Sequence, residues 1–153
     1  MKLTEILRQE QIVPDLQARN KRAVMLELCQ VLCQQRPDLD PDRLMEVLLE
    51  RERLGSTGIG DGIAIPHGKL PQLEELQLAF GRSRAGVDFD SLDGKPAHLF
   101  FLVVAPENSA GVHLKALARI SRLLKSLAVR KDLMQAKDAQ EMFQLIQAQD
   151  EEF

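Results

Sequence analysis

The residues with the clearest chemical potential lie at positions 51–68, where a charged helix end, a glycine-rich loop and a histidine follow one another. Glycines at positions 55, 58, 60 and 62 let the loop adopt left-handed conformations and approach another group closely. Residues 63–65 predict a short buried strand. Pro66 lacks a backbone N–H, so we expect the strand to end there with His67 at its tip and Gly68 clearing space beside the ring. A histidine placed in this way is rigidly held and accessible to a large partner.

Arg51 is the first candidate for a supporting role. Asp40 and Pro41 predict the N-cap and first residue of a helix that Gly55 ends. Its apolar stripe comprises Leu44, Val47, Leu48 and Leu54. Arg51 shares this face, so we expect its guanidinium to point toward the protein, beside the loop that leads to His67, where it can bind an anion. The alternative is an arginine whose aliphatic stem merely packs on the core.

His113 is the second candidate. Residues 109–111 predict the start of a long helix, which places His113 in its first turn. We expect this helix to turn five residues inward: Leu114, Leu117, Ile120, Leu123 and Leu124. A helix N-terminus favours both a neutral imidazole and a nearby anion, so His113 can donate a hydrogen bond to a phosphate without being charged. The alternative is a partly exposed histidine without a role.

Together these residue types favour phosphoryl chemistry on a nitrogen atom. The neutral imidazole of His67 is a good nucleophile at pH 7, and Arg51, His113 and backbone N–H groups can stabilise the oxygens of the transferred group. The glycine pattern matches neither a P-loop nor the dinucleotide fingerprint, so we expect no nucleotide and no other cofactor. A metal-dependent hydrolase using His67, His113 and Asp61 as ligands is an alternative, although their spacing matches no standard site.

Composition narrows the classes of function. The 153 residues predict one domain (1–153) that can bury a core without a disulfide or metal. The net charge of −3 is spread along the chain and Trp and Tyr are absent, which argues against nucleic-acid binding. Cys29 and Cys33 share a helix face with no second ligand pair nearby, so we expect core residues rather than a metal site. No apolar run suits a signal or a membrane span, which predicts a cytoplasmic protein without membrane insertion.

The remaining chain predicts helices that alternate with strands. We expect an edge strand near residues 12–16, a half-buried strand at 76–84 and a strand at 99–105 that is buried on both faces, with His98 as a structural or exposed residue at its start. Further helices are predicted at 20–35 and from Asp138 onward, with a helical turn at 131–136 and a frayed acidic tail from Asp150. The pattern indicates an α/β (α+β) three-layer sandwich, in which a mixed central sheet of about five strands has helices on both faces.

The motifs RERLGSTGIG at 51–60 and IAIPHG at 63–68 resemble the signature of the enzyme IIA components of the bacterial phosphoenolpyruvate phosphotransferase system, in the fructose/mannitol group. The chain looks most like the nitrogen-related regulatory branch of that group. The resemblance extends to VDFD at 87–90, DGKP at 93–96, the strand at 100–106 and His113. It implies that His67 accepts a phosphoryl group, through Nε2, from a histidine-phosphorylated carrier protein of the HPr or NPr type, itself charged by an enzyme I.

The resemblance also implies roles for the other site residues. Arg51 and His113 match the residues of the family that stabilise the phosphate, and Asp61 stands where nitrogen-type relatives usually have Asn. We expect the carboxylate of Asp61 to repel a phosphohistidine and so to tune phosphorylation. The protein would then be a phosphocarrier rather than a turnover enzyme, and its phosphorylation state would control binding to regulatory or transport proteins. The alternatives are the IIA subunit of a fructose/mannitol-type sugar permease and a binding module that has lost its phosphoryl chemistry.

Overall fold

The computed structural model describes residues 2–150, which form a six-stranded mixed β-sheet between two layers of helices. The strands are β1 (Ile12–Val13), β2 (Gly58–Gly60), β3 (Ile63–Ala64), β4 (His67–Leu70), β5 (Gln77–Val87) and β6 (Ala97–Pro106). The helices are α1 (Lys21–Gln35), α2 (Pro41–Arg53), α3 (Ala110–Lys125), α4 (Leu127–Gln135) and α5 (Ala139–Asp150), preceded by 3-10 turns at Leu3–Glu5 and Gln9–Gln11. The predicted fold class is confirmed. No helix in this range is long and apolar enough to cross a membrane.

Side-chain caps set the starts of several helices, as the sequence predicts. The Asn20 side chain accepts from the Ala23 N–H, and the Asp40 side chain accepts from the Asp42 N–H ahead of Pro41 at the first helical position. The helical turn expected at 131–136 is longer and begins earlier, because Ser126 caps α4 through the Val129 N–H. These hydrogen bonds satisfy donors that the first helical turn leaves unpaired.

The sheet is organised around β6, which lies between β5 and the β3–β4 segment. The strand order is β1-β5-β6-β3-β2, β4 also pairs with β6, and β5 runs antiparallel to β6 whereas β3 and β4 run parallel to it. Because consecutive side chains of a strand point to opposite faces, residues 99, 101, 103 and 105 of β6 join the core under α3–α5, and residues 100, 102 and 104 join the core under α1 and α2. The prediction that this strand is buried on both faces is confirmed.

His67 does not lie at the tip of the strand that precedes Pro66. Ile63 pairs with Leu99 and His67 pairs with Val103, so β3 and β4 keep the same offset along β6, with the interruption at residues 65–66. His67 therefore begins a new strand instead of standing at a strand tip. The missing N–H of Pro66 breaks the segment, but the Pro66 carbonyl still accepts from the Val103 N–H. This extra strand is one reason why the sheet has six strands instead of about five.

Four burial expectations were wrong. Leu54 is 84% exposed because it lies beyond the end of α2, and Leu114 is 65% exposed because it lies about 200° around α3 from the buried Ala116. Strand β5 is buried on both faces as far as Ser83, and Arg82 is enclosed because its guanidinium donates to the carbonyls of Pro14, Leu133, Met134 and Ala136. Asp150 is buried at the end of α5 instead of opening a frayed tail; residues 151–153 of that predicted tail lie outside the described residues.

Gly68 also acts differently from the expectation. It points to the face of the sheet opposite to His67, where a Cβ built on it would lie 2.5 Å from Val47 Cγ1 of α2. The residue therefore allows α2 to approach β4 closely, instead of clearing space beside the imidazole. This contact sets α2, which carries Arg51, directly against the strand that carries His67.

Candidate functional site

His67 is half-buried on the face of the sheet that packs against α3. Its Nδ1 lies 2.7 Å from the carbonyl oxygen of Ile65, two residues earlier in the chain. A carbonyl only accepts hydrogen bonds, so Nδ1 must carry the proton, and in the neutral ring Nε2 then holds a lone pair. The backbone at the break between β3 and β4 thus fixes both the orientation and the tautomer of the imidazole.

The pKa of His67 is lowered from its ordinary value of 6.5, chiefly by burial. The Ile65 hydrogen bond and the charge of Glu52 act to raise this pKa, and the charge of Arg51 acts to lower it. Burial therefore outweighs the stabilising partners, because the charged imidazolium loses more hydration than the neutral ring. At pH 7 the ring is neutral, and Nε2 is unprotonated.

His113 lies in the first turn of α3, as predicted, and its ring faces that of His67. The ring centroids are 5.3 Å apart and the planes are inclined by 54°. His113 is only 8% exposed, and its Nδ1 is buried with no hydrogen-bond partner within residues 2–150. Burial, and then the charges of His67 and Lys69, lower the pKa of His113 to about 4. The alternative of a partly exposed histidine is wrong, because this imidazole is enclosed and neutral at pH 7.

Arg51 lies in the last turn of α2 and is half-buried. Its Nη1 donates to the carbonyl oxygen of Gly55 at 2.9 Å, so the guanidinium spans the start of the glycine-rich loop. Because its charge contributes to lowering the pKa of His67, Arg51 lies within electrostatic reach of that ring. The structure thus brings together Arg51, His67 and His113 from three separate elements.

Two further residues at the site were not predicted from the sequence. Lys69 follows His67 by two positions in β4, and its charge reaches His113. Residues i and i+2 of a strand share a face, so the alternation of β4 could have identified this lysine had the strand been predicted. Glu52 is the second: it acts on His67 and accepts hydrogen bonds from both the backbone N–H and the hydroxyl of Thr57. No sequence signal distinguishes it from the exposed acidic residue Glu50.

Asp61 does not join this group. It lies in the turn between β2 and β3 with a φ of 57°, and its N–H donates to the Asp93 carboxylate. Asp and Asn tolerate this left-handed conformation better than most residues. The first residue of β3 lies four strand positions before His67, and Asp61 precedes it in the turn at the far end of β3. The backbones of Asp61 and His67 are therefore about 13 Å or more apart, beyond the ~8 Å over which exposed charges interact at physiological ionic strength. This placement does not support direct repulsion of a phosphoryl group on His67.

The described residues offer no ligand set for a metal-dependent hydrolase. Within residues 2–150, no three His, Cys, Asp or Glu side chains lie together in a group that could hold a metal ion. Cys29 is buried, and burial raises the pKa of its thiol to about 12. Cys33 is partly buried, and burial raises its pKa as well. Both thiols are protonated near neutral pH and belong to the core under α1 and α2.

The arrangement is suited to receiving an anionic electrophile. The Nε2 lone pair of His67 is available as a nucleophile. Arg51 and Lys69 add positive charge to the site, and the buried, neutral imidazole of His113 adds a possible N–H donor. Apolar side chains of Leu54, Val112 and Leu114 are exposed on the neighbouring chain segments. A protein that carries an activated group could bury such side chains on docking.

Comparisons with known proteins agree with this chemistry. The family described as "Phosphoenolpyruvate-dependent sugar phosphotransferase system, EIIA 2" matches residues 5–149. The chain is 41% identical over 146 residues to the nitrogen regulatory protein of Bradyrhizobium diazoefficiens, covering 95% of each chain. It is also 41% identical over 150 residues to the fructose-specific EIIABC component of Bacillus subtilis, covering 98% of this chain and 24% of that protein.

A solved structure extends the similarity to the backbone. The nitrogen regulatory protein IIA-Ntr of Neisseria meningitidis superposes with a TM-score of 0.88 at 35% identity, covering 94% of this chain and 98% of the other. The two proteins are therefore similar in both fold and sequence over nearly the full length of both chains. This chain belongs to the EIIA 2 family of the phosphoenolpyruvate-dependent sugar phosphotransferase system.

Proposed function

We propose that the protein is a phosphoryl-accepting regulator of the nitrogen-related phosphotransferase system and that His67 Nε2 is the acceptor atom. The observation that carries the proposal is the hydrogen bond from His67 Nδ1 to the Ile65 carbonyl, 2.7 Å long, which leaves Nε2 as the nucleophile of a neutral ring. The donor is the phosphohistidine of a small carrier protein of the HPr or NPr type. The protein acts as a phosphocarrier rather than a turnover enzyme, and it meets its donor in the cytoplasm.

The transfer needs no proton movement at His67. The Nε2 lone pair forms a bond to phosphorus, while the bond from phosphorus to the carrier's imidazole breaks and its electron pair stays on that imidazole. The His67 ring keeps its Nδ1 proton and gains positive charge, which the Ile65 carbonyl stabilises through the existing hydrogen bond. The acceptor is thus arranged for the reaction before the donor arrives.

Arg51 and His113 stabilise the oxygens of the transferred group. The guanidinium of Arg51 is within electrostatic reach of His67 and donates to the Gly55 carbonyl. His113 has a buried Nδ1 without an acceptor, so its proton is better placed on Nε2, from which it can donate to a phosphoryl oxygen. A neutral donor suits this role because it can donate a hydrogen bond to the phosphoryl oxygens without competing with His67 for a proton.

Docking of partners should use the apolar surface beside the site. Leu54 follows the helix that carries Arg51, and Val112 and Leu114 flank His113; all three are exposed. We propose that the carrier, and the regulatory or transport proteins downstream, cover these side chains. The change from a neutral ring to a phosphorylated one then alters the charge at the centre of the docking surface, which gives a partner a basis for distinguishing the two states.

The permease subunit remains the second candidate, because the fructose-specific EIIABC component is as similar in sequence as the nitrogen regulatory protein. We favour the regulator because the nitrogen regulatory protein IIA-Ntr of Neisseria meningitidis matches 94% of this chain in both backbone and sequence, with a TM-score of 0.88 at 35% identity. Transfer from the phosphorylated protein to a fructose- or mannitol-type IIB domain would identify the permease role. Failure of that transfer, together with a partner that binds only one phosphorylation state, would identify the regulator.

The first test is intact-mass analysis after incubation with phosphoenolpyruvate, enzyme I and a cognate carrier. We expect one acid-labile, base-stable phosphate on the wild type and none on His67→Ala. Absence of phosphate on both proteins, with the carrier demonstrably charged, would favour a binding module, which would bind its partner equally well with His67→Ala.

The tuning role of Asp61 stays a prediction with a separate test. Direct repulsion across about 13 Å should be weak. The comparison of wild type with Asp61→Asn, using the phosphorylation equilibrium with the carrier and the lifetime of the phosphohistidine, decides it. Identical values for both proteins would remove Asp61 from the site.

A further inference from the structure

Glu52 is a buried carboxylate next to the site, and the chemistry above does not use it. Its side chain is 6% exposed, yet it lies between the polar residues Arg51 and Arg53 near the end of α2. Burying a carboxylate costs free energy unless partners replace its lost hydration. Glu52 has such partners: Lys21 Nζ lies 2.9 Å from Oε1, the Thr57 N–H donates to Oε1 at 3.0 Å, and the Thr57 hydroxyl donates to Oε2.

These partners connect Glu52 to the imidazole of His67 through a chain of hydrogen bonds. Thr57 is held at both its N–H and its hydroxyl by Glu52, and its carbonyl accepts from the Ile65 N–H at 3.0 Å. The Ile65 carbonyl in turn accepts from His67 Nδ1 at 2.7 Å. Glu52 therefore holds Thr57, and the Thr57 carbonyl holds Ile65. The Ile65 carbonyl in turn selects the tautomer of His67.

The place of these hydrogen bonds in the fold explains why they would affect the orientation of His67. The segment 65–66 lies where the pairing of β3 gives way to that of β4, and Pro66 provides no N–H to hold it. In this segment the Ile65 N–H donates to the Thr57 carbonyl. The neighbours of Thr57 have contacts of their own, since the Ser56 hydroxyl donates to the Phe89 carbonyl and Gly58 pairs with β3. Glu52 adds the two hydrogen bonds that hold Thr57 itself.

Lys21 completes the anchor from a third element. As the first residue of α1, it places its ammonium against Glu52, 3.6 Å from Asp90 Oδ2 and 4.8 Å from the centre of the Phe89 ring. The buried carboxylate is thus charge-compensated and holds α1, α2 and the loop together. Its negative charge also acts to raise the pKa of His67, which places it close enough to stabilise positive charge on that ring.

We propose that Glu52 is a positioning residue for His67: through Thr57 and Ile65 it holds the imidazole with Nδ1 as donor and Nε2 as free nucleophile. This inference rests on the proposed function of His67 as phosphoryl acceptor. In the transfer itself Glu52 exchanges no atom and no proton. It keeps the Ile65 carbonyl in place while the ring gains positive charge, and its own charge favours that state.

The test compares Glu52→Gln with Glu50→Gln, a matched control at an exposed position of the same helix. The first readout is the tautomer of His67 in the unphosphorylated protein, from ¹⁵N NMR of the imidazole. We expect wild type and Glu50→Gln to show the Nδ1–H form, and Glu52→Gln to shift toward the Nε2–H form with a lower pKa for His67. The second readout is the rate of phosphoryl transfer from the charged carrier, for which we expect a loss of roughly 10- to 100-fold in Glu52→Gln alone.

A milder variant covers the case in which Glu52→Gln does not fold. Thr57→Val removes the hydroxyl donor but keeps the N–H bond to Glu52, so it should stay folded and show a smaller change of both readouts in the same direction. A folded Glu52→Gln, or Thr57→Val in its place, with the wild-type tautomer and rate would overturn the inference. If the wild type accepts no phosphate, the proposed function fails, whereas the tautomer still decides whether Glu52 positions the ring.

Discussion

The imidazoles of His67 and His113 are kept neutral mainly because folding removes them from water. Burial is the largest cause of the lowered pKa of both rings, and mutual repulsion adds to it at His113. A neutral pair can share a small site, whereas two imidazolium ions with ring centroids 5.3 Å apart would repel each other. The same burial makes the fold sensitive to acid.

His113 should therefore destabilise the fold as the pH falls. Its pKa is about 4 in the folded protein against an ordinary 6.5, so between these values the unfolded chain binds more protons and unfolding becomes easier. On lowering the pH from 7.5 to 5, we expect wild type to lose about 2 kcal/mol more unfolding free energy than His113→Asn, which lacks this titration. Urea unfolding at both pH values measures the difference. Equal losses in the two proteins would contradict a buried, neutral His113.

The sequence allowed some residues of the candidate site to be predicted, but it gave no indication of others. Arg51, His67 and His113 were predictable because each combines an uncommon residue type with a local structural signal, namely a helix end, a proline break and a helix start. Glu52 was not, since an acidic residue in a charged helix end usually faces solvent. Its burial depends on Lys21 and Thr57, which lie 31 positions before it and five after it, in other elements. Only the tertiary fold brings those partners to one carboxylate.

At the scale of elements, the close contact of β4 with α2 positions two parts of the site relative to each other. Arg51 lies on α2 and His67 on β4, and the absence of a side chain at Gly68 permits the contact through Val47. A helix and a strand held at this distance bring the guanidinium within electrostatic reach of the imidazole. The separation of the two elements is therefore part of the site's geometry.

Gly68→Ala should push these elements apart. The new Cβ would lie 2.5 Å from Val47 Cγ1, too close for any real contact, and we expect a loss of about 1–3 kcal/mol in unfolding free energy together with slower phosphoryl transfer. Val47→Ala removes the atom that clashes, so the double variant Gly68→Ala/Val47→Ala should recover part of both losses. Urea unfolding and the transfer rate from the charged carrier measure the effects. Additive losses in the double variant would show that the contact does not set the separation.

The elements themselves were mostly predictable from the sequence, but their pairing was not. Caps at Asn20 and Asp40 and the apolar run of β6 identified their elements, because those signals are local. Strand β5 was expected to be half-buried, since the large apolar residues around its start occur at every second position, 76, 78 and 80. Arg82 is nevertheless enclosed, because its guanidinium donates to carbonyls at the C-terminal end of α4, about 50 residues away in sequence. A buried polar residue with distant partners leaves no periodic signal.

At the scale of the whole molecule, Asp150 ties the two ends of the described chain together. Its carboxylate accepts from the Leu3 N–H at 2.6 Å and from Arg119 Nη2 at 2.7 Å, and the residue is fully buried. The sequence indicated a solvated acidic tail because Asp150 precedes two further acidic residues. Its burial is determined by a backbone N–H 147 residues away and by a helix that packs on the same face of the sheet.

Asp150→Asn should therefore destabilise the fold while leaving the chemistry of His67 intact. The substituted amide presents an N–H₂ group where one oxygen of the fully buried carboxylate accepted from Leu3 or Arg119, and the partly buried guanidinium loses its counter-charge, so we expect a loss of about 3 kcal/mol in unfolding free energy. Asp132→Asn, at an exposed position of α4, is the matched control and should change stability by less than about 0.5 kcal/mol. Urea unfolding measures both variants.

The tautomer of His67 in folded Asp150→Asn, measured by ¹⁵N NMR, distinguishes an effect of global stability from an effect of the contacts at the site. Strand β4 is positioned by its pairing with β6, and the imidazole by Ile65, and neither contact involves Asp150. The Nδ1–H form should therefore persist in the destabilised variant, in contrast to Glu52→Gln. A shift of the tautomer in Asp150→Asn would show that general loosening of the fold is enough to release His67, and that the site depends on global stability instead of on its own anchor.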